Sequence, residues 1–199
     1  GAGQQNLIAE HGLCEDEVAI IDHHVSQPCG QDYLQANCLP YGHAKLSAAG
    51  VAYLVAKEID SGNTDLATLA VIGNVGDMMA REDCGLTGIA QEIAYEGAAH
   101  GSLEIRKHDL NCYGISTRPL HVCLSYNDDP FIPGISTNAG GALRFLQKLG
   151  IPLQDSLRRW LVWEEIPYKD RRVISSALAQ QLLAHGRPVT RLFCESYLF

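Results

Sequence analysis

An Asp-His-His triplet, Asp22-His23-His24, follows directly after the apolar run Val18–Ile21. The run has the composition of a buried β-strand, and ligand sites in open α/β sheets form at the carboxyl ends of strands. In a regular strand the two histidines would point to opposite faces, but on a turn just beyond the strand both can approach one site. The triplet therefore predicts a site that binds a divalent metal or transfers protons.

A second carboxylate, Asp77, follows a predicted helix in the segment Gly73-Asn74-Val75-Gly76. Glycine lets the backbone approach a ligand closely, so the segment is predicted to be a tight turn that presents Asp77. Carboxylate and imidazole together suit Mn²⁺, Zn²⁺ or Fe²⁺, and carboxylate alone also suits Mg²⁺. Asp22 can bind metal itself or hold an imidazole in the correct tautomer. Two metal ions about 3.5–4 Å apart would stabilise both oxygens of phosphoester hydrolysis, and a nearby histidine can protonate the leaving oxygen.

Composition argues against several other classes of protein. No apolar run reaches the roughly 18–20 residues that a membrane span needs. The N-terminal segment has neither the basic nor the apolar region of a signal peptide. The seven cysteines are odd in number and form no C-x-x-C pair, so neither a disulfide framework nor a structural zinc site is supported. Reduced thiols in a cytoplasmic protein without membrane contact are the prediction.

Charge is distributed unevenly along the chain. The net charge of −8 argues against broad non-specific binding of nucleic acid. Residues 1–140 carry 6 Lys and Arg against 18 Asp and Glu, whereas residues 141–199 carry 9 against 5. The basic excess has two interpretations: solvated helix faces, or a surface that holds a polyanion near an acidic metal site.

Apolar periodicity and capping residues predict the main helices and strands. Ser47 is predicted to cap a helix over residues 48–60 with an apolar stripe that ends at Ile59, and Thr64 is predicted to cap the next helix. Residues 25–46 are predicted to be rich in loops. Other predicted elements are helices over 4–11, 65–74, 86–98 and 170–184, a helix that is capped by Ser136 or Thr137 and ends near 149, and a strand over 191–199. Residues 103–135 are predicted to be irregular with short extended pieces.

The order of these elements predicts the fold class. Alternating strands and helices in the first half of the chain favour an α/β layer fold with a parallel sheet. The second half is mostly helical by the same criteria, and we expect it to form a helical subdomain or an insertion.

Several ordered segments resemble the DHH phosphoesterase superfamily, and within it the archaeal RecJ-like exonucleases. Ile20–His24 is similar to the third motif of that family, Ser47–Tyr53 to the helix that follows it, and Val71–Asp77 to the fourth motif. Thr117–His121 and Pro130–Gly134 resemble segments of the archaeal branch. Five segments in the same order are far more specific than the triplet alone.

The resemblance implies a role for each candidate residue. His23 and Asp77 would be manganese ligands, and Asp22 would be a ligand or a carboxylate that supports one. His24 would contact the scissile phosphate or act as an acid, so that His24 and Asp22 are the expected catalytic residues. The resemblance also implies two Mn²⁺ or Mg²⁺ ions in the complete protein, a single-stranded DNA or RNA substrate, and GINS-type replication proteins as partners.

The resemblance also predicts the domain organisation. Residues 1–110 would be a partial DHH domain, with part of a doubly wound parallel sheet, and 111–199 its remainder or a helical subdomain. The first motif of the family has no counterpart, and Gly1-Ala2-Gly3-Gln4 resembles the stretch directly after the Asp of the second motif. The DHHA1 domain, with its Gly-Gly-His loop, is missing, since Gly140-Gly141 is followed by Ala142. A central fragment with about half the metal ligands and little activity of its own is expected.

Three functions stay open on the sequence. The first is a fragment of a metal-dependent exonuclease. The second is a non-catalytic replisome scaffold that binds GINS-type partners. The third is a DHH phosphoesterase that acts on short oligonucleotides, cyclic dinucleotides or pyrophosphate. The four retained site residues favour an enzyme because a scaffold would not need them, and residues 100–199 resemble the archaeal nucleases more than the compact enzymes.

Overall fold

The computed structural model of the protein describes residues 2–27, 30 and 32–199. Gly1, the first residue of the predicted Gly-x-Gly-Gln stretch, lies outside the described residues. The chain divides into two compact units, which we call unit 1 (residues up to Lys107, together with Glu195–Phe199) and unit 2 (His108–Cys194). No described helix is both long enough and apolar enough to cross a membrane.

The helices and strands of the described residues follow one another in a mixed α/β order. The strands are β1 (Ala19–Ile21), β2 (Leu34–Ala36), β3 (Glu104–Leu110) and β4 (Phe193–Leu198). The helices are α1 (Gln5–Glu10), α2 (Ala48–Ile59), α3 (Ala67–Gly76), α4 (Gly88–His100), α5 (Leu120–Tyr126), α6 (Ala139–Lys148) and α7 (Tyr168–Ala184). The predicted α/β class is therefore confirmed.

Two short parallel strands form the sheet that matters for the site. β1 pairs with β2, and Ile20 lies opposite Gln35. Ile20 is buried and packs with Tyr33 in a small apolar cluster. The described residues of 25–46 are mostly loop, as predicted, and β2 is a short strand within them that was not predicted. Since β3 pairs only with β4 in a second two-stranded sheet, the described residues contain no doubly wound sheet, and that arrangement stays a prediction.

Helices α2 and α3 pack closely in unit 1. Ser47 caps α2 as predicted, because its Oγ accepts a hydrogen bond from the backbone N–H of Gly50 at 3.2 Å. The backbone N–H of Ser47 in turn donates to Oδ1 of the buried Asn74 in α3 at 2.8 Å. A Cβ added to Gly73 would lie 2.3 Å from the Cβ of Ala49, so the two helices touch at this glycine.

Two local predictions for α2 and α3 are wrong. Thr64 lies inside a 3-10 helix, Asn63–Leu66, and does not cap α3 with its side chain. Ile59 is 80% exposed and does not belong to a buried stripe, whereas Val51 and Tyr53 of α2 are buried. Tyr53 donates a hydrogen bond to Glu96 of α4, which also pairs with Lys57, so a polar contact joins the two helices.

Unit 2 has its own apolar core. Fully buried side chains of α5, α6 and α7 meet there, among them Leu124, Leu146 and Leu178. Helix α5 lies in the segment 103–135 that was predicted to be irregular, so that prediction is wrong at this helix. The cap of α6 is Asn138, whose Oδ1 accepts from the N–H of Gly141 at 2.8 Å, and not Ser136 or Thr137.

The cap of α2 gives a first testable prediction. Ser47→Ala removes the oxygen that accepts from Gly50 and is expected to lower the free energy of unfolding by about 1 kcal/mol. Urea denaturation followed by far-ultraviolet circular dichroism measures the change. Ser61→Ala is the matched control, because Ser61 is exposed just beyond the other end of α2. Equal stability of both variants would show that the cap contributes nothing.

Candidate metal centre

The Asp22–His24 turn begins where the parallel strand pair ends. The N–H of Asp22 still donates to the carbonyl oxygen of Ala36 in β2, at 3.2 Å. Asn37, the residue after β2, donates from Nδ2 to the carbonyl oxygen of His24 at 2.8 Å. The Oδ1 atom of Asn37 also accepts from the N–H of Leu39 at 2.9 Å. Strand β2 and Asn37 therefore hold both ends of the turn.

The Asp22 carboxylate organises the turn from inside. Its Oδ1 atom accepts from the N–H of His23 at 2.7 Å, from the N–H of His24 at 3.3 Å, and contacts Nδ1 of His24 at 2.7 Å. An ionised carboxylate can only accept, so Nδ1 of His24 is the donor in this contact. Asp22 is 7% exposed, which protects these hydrogen bonds from water.

The turn brings three ligand groups to one place. One ligand atom from each of Asp22, His23 and His24 lies within 4.8 Å of the other two. The rings of His23 and His24 are 4.1 Å apart between centroids and inclined at 62°. The His23 side chain is 15% exposed and the His24 side chain 67% exposed, so one imidazole is sheltered and the other faces solvent. One carboxylate and two imidazoles suit a divalent transition metal such as Mn²⁺, Zn²⁺ or Fe²⁺.

Asp77 reaches the triplet from the end of a helix. α3 continues through Gly76, and the N–H of Asp77 donates to the carbonyl oxygen of Gly73 at 2.9 Å. The prediction of a tight turn at Gly73–Gly76 is therefore wrong, and Asp77 itself ends the helix. Its Oδ2 atom lies 3.5 Å from Nε2 of His23. The structure thus brings all four predicted site residues together in unit 1.

Residues outside the triplet set its geometry, and the sequence did not point to them. Asn37 was not predicted to contribute to the site because β2 was not predicted. The position of a polar residue directly after that strand would have indicated its role. Of the remaining histidines, His43 is exposed. His121 packs against Trp160 in unit 2 with ring centroids 4.4 Å apart, and burial lowers its pKa. A pKa lowered in this way belongs to a packed imidazole that stays neutral.

Comparison with known proteins gives two matches. Residues 112–193 match the model of the DHH-CID domain, and this stretch lies within unit 2. The uncharacterized protein MJ0831 of Methanocaldococcus jannaschii is 30% identical over 160 residues, which cover 76% of this chain and 34% of that protein. The chain therefore spans about a third of the length of the curated relative that it matches.

Proposed function

The chain belongs to the DHH phosphoesterase superfamily, and from this premise we propose that it forms part of a divalent-metal-dependent phosphodiesterase. The superfamily includes metal-dependent phosphoesterases. One observation carries the proposal: ligand atoms of Asp22, His23 and His24 lie within 4.8 Å of one another, and Asp77 lies 3.5 Å from His23. This donor set fits a divalent cation, and we assign it Mn²⁺, with Mg²⁺ as the alternative.

Each residue has a role that follows from its contacts. His23 and Asp77 would hold the cation, and the Asp22 carboxylate would join them or support them. Asp22 also fixes the tautomer of His24 through Nδ1, so Nε2 of this exposed imidazole can contact a phosphate or, once protonated, give its proton to the leaving oxygen. A bound divalent cation supplies the Lewis acidity that makes water reactive towards a phosphodiester at neutral pH.

We propose single-stranded DNA or RNA, cut from one end, as the substrate of the complete protein. The five ordered segments similar to archaeal RecJ-like exonucleases support this choice. Charge also supports it, since unit 2 carries 10 Lys and Arg against 7 Asp and Glu, whereas unit 1 carries 5 against 16. The net positive charge of unit 2 can attract the phosphates of a polyanion, and the acidic residues of unit 1 can hold metal.

Hydrolysis of end-labelled single-stranded DNA and RNA with Mn²⁺ tests the proposal. We expect activity in a longer protein that contains this chain, little or none in the chain alone, and loss of activity in Asp77→Ala. Glu92→Ala, which removes an exposed carboxylate from α4, is the control and should stay active. Full activity of Asp77→Ala would contradict the assignment of this residue.

The same assay separates the enzyme from a scaffold. A longer protein that binds GINS-type replication proteins and hydrolyses neither DNA nor RNA with Mn²⁺ would be a non-catalytic platform. Hydrolysis confined to short oligonucleotides, cyclic dinucleotides or pyrophosphate would instead assign a small-substrate phosphoesterase.

A further inference from the structure

Unit 2 presents an arginine between two exposed tyrosines. The guanidinium carbon of Arg118 lies 5.3 Å from the ring centroid of Tyr113 and 6.0 Å from that of Tyr126. Tyr113 is 76% exposed and Tyr126 70% exposed. Two large aromatic rings this exposed are not part of the core, and their shared contact is a cation.

The backbone holds this cluster in a defined geometry. Gly114 has a φ of +75°, and the N–H of Arg118 donates to its carbonyl oxygen at 2.9 Å. A Cβ on Gly114 would lie 3.0 Å from Cδ of Arg118, so the arginine stem packs directly on the glycine. The buried Cys123 donates from Sγ to the same carbonyl oxygen at 3.3 Å. Because Tyr126 ends the helix that contains Cys123, these contacts join both tyrosines to Arg118.

A second arginine–aromatic group lies on a neighbouring segment. The guanidinium carbon of Arg171 lies 5.8 Å from the Trp163 ring centroid and 5.9 Å from that of Tyr168. Ser116, two residues before Arg118, donates to Oε1 of Glu164 at 3.1 Å. The N–H of Trp163 donates to the carbonyl oxygen of Ile115 at 3.3 Å. Hydrogen bonds therefore join the loop before α5 directly to the segment before α7.

Charge decides which partner this surface fits. Among the described residues, no salt bridge involves Arg118, and its guanidinium lies near the two rings. Unit 2 has a net charge of +3, from 10 Lys and Arg against 7 Asp and Glu. Exposed aromatic rings bind unpaired bases by stacking, arginine stacks on bases as well, and positive charge attracts the phosphates.

We propose that the Tyr113–Arg118–Tyr126 cluster is a stacking site for the unpaired bases of a single-stranded nucleic acid. The site lies in unit 2 and uses none of the metal-centre residues. Binding at this site therefore requires no hydrolysis. A binding test of the site and a hydrolysis test of the metal centre can succeed or fail independently of each other.

Binding of a fluorescein-labelled oligothymidylate of about 12 nucleotides tests the site. Fluorescence anisotropy is measured with the whole chain in EDTA, so that no metal-dependent cleavage occurs. An abasic strand of the same length keeps the phosphates and removes the bases. We expect the chain to bind the thymidylate at least about fivefold more tightly than the abasic strand.

Variants locate the site on the surface. Tyr113→Ala and Tyr126→Ala are each expected to weaken thymidylate binding about 5- to 100-fold, and the Phe variants, which keep the ring, to bind like the unmodified chain. Tyr41→Ala removes a tyrosine of unit 1 that is 81% exposed and is the matched control. Equal affinity for the abasic strand, or unchanged affinity in both Ala variants, overturns the proposal.

Discussion

Replacement of Asp22 by Ala is expected to weaken the binding of Mn²⁺ to the chain by about 100-fold. A single oxygen, Oδ1, accepts from two backbone N–H groups and orients the His24 ring. Its loss removes a negative charge and also frees the turn that directs His23 and His24 to one place. Orientation and charge are lost together, so the effect should be among the largest that one substitution in unit 1 can have on metal affinity.

A graded series separates charge from geometry at this position. Asp22→Asn keeps an oxygen that can accept from the backbone of His23 and His24 and is expected to weaken Mn²⁺ binding by about tenfold. Asp16→Ala, which removes an exposed carboxylate from the same unit, should leave the affinity unchanged. Electron paramagnetic resonance of free Mn²⁺ measures binding, and circular dichroism verifies folding. Unchanged affinity in folded Asp22→Ala would exclude the triplet as the metal centre.

The proximity of the four candidate site residues was predicted from the sequence better than the route by which they meet. An apolar run before Asp22 places the triplet at a strand end, and this local rule needs no tertiary information. The approach of Asp77 was expected from a glycine turn and comes from a helix end instead. The contribution of Asn37 depends on β2, a strand of three residues with a mostly exposed pattern. Such a short strand leaves little periodicity in the sequence.

The misinterpreted segments share one physical cause. Proline was taken as a sign of irregular structure over 103–135, yet Pro119 stands at the N-terminus of α5, where its missing N–H costs no helical hydrogen bond. Glycine was taken as a sign of a turn at Gly73, yet this residue lies within α3, and it is glycine because α2 leaves no room for a side chain. Proline and glycine usually interrupt a helix. Proline is nevertheless tolerated at a helix N-terminus, and glycine is tolerated where a neighbouring helix leaves no room for a side chain. A single sequence does not reveal that neighbour.

Gly73→Ala tests this explanation and should be strongly destabilising. The new Cβ would lie 2.3 Å from the Cβ of Ala49, far inside the ordinary contact distance of about 3.5–4 Å. Ala49 has no flexible side chain that can move away, so α2 and α3 must separate. Overpacking of this kind costs about 1–3 kcal/mol, which exceeds the gain of up to about 1 kcal/mol in helix propensity. The separation should also weaken Mn²⁺ binding, because Asp77 directly follows α3 and lies beside His23.

Two further variants make the test specific to the contact between α2 and α3. Gly76→Ala adds the same methyl group to the same helix, where nothing lies within 4 Å of the new atom, and should be neutral or slightly stabilising. Ala49→Gly removes the obstructing atom, so the double variant with Gly73→Ala should be more stable than the two single effects predict by at least about 1 kcal/mol. Urea denaturation and Mn²⁺ titration of the four variants and the unmodified chain provide the measurement. Additive losses of stability would mean that the helices do not meet at Gly73 and Ala49.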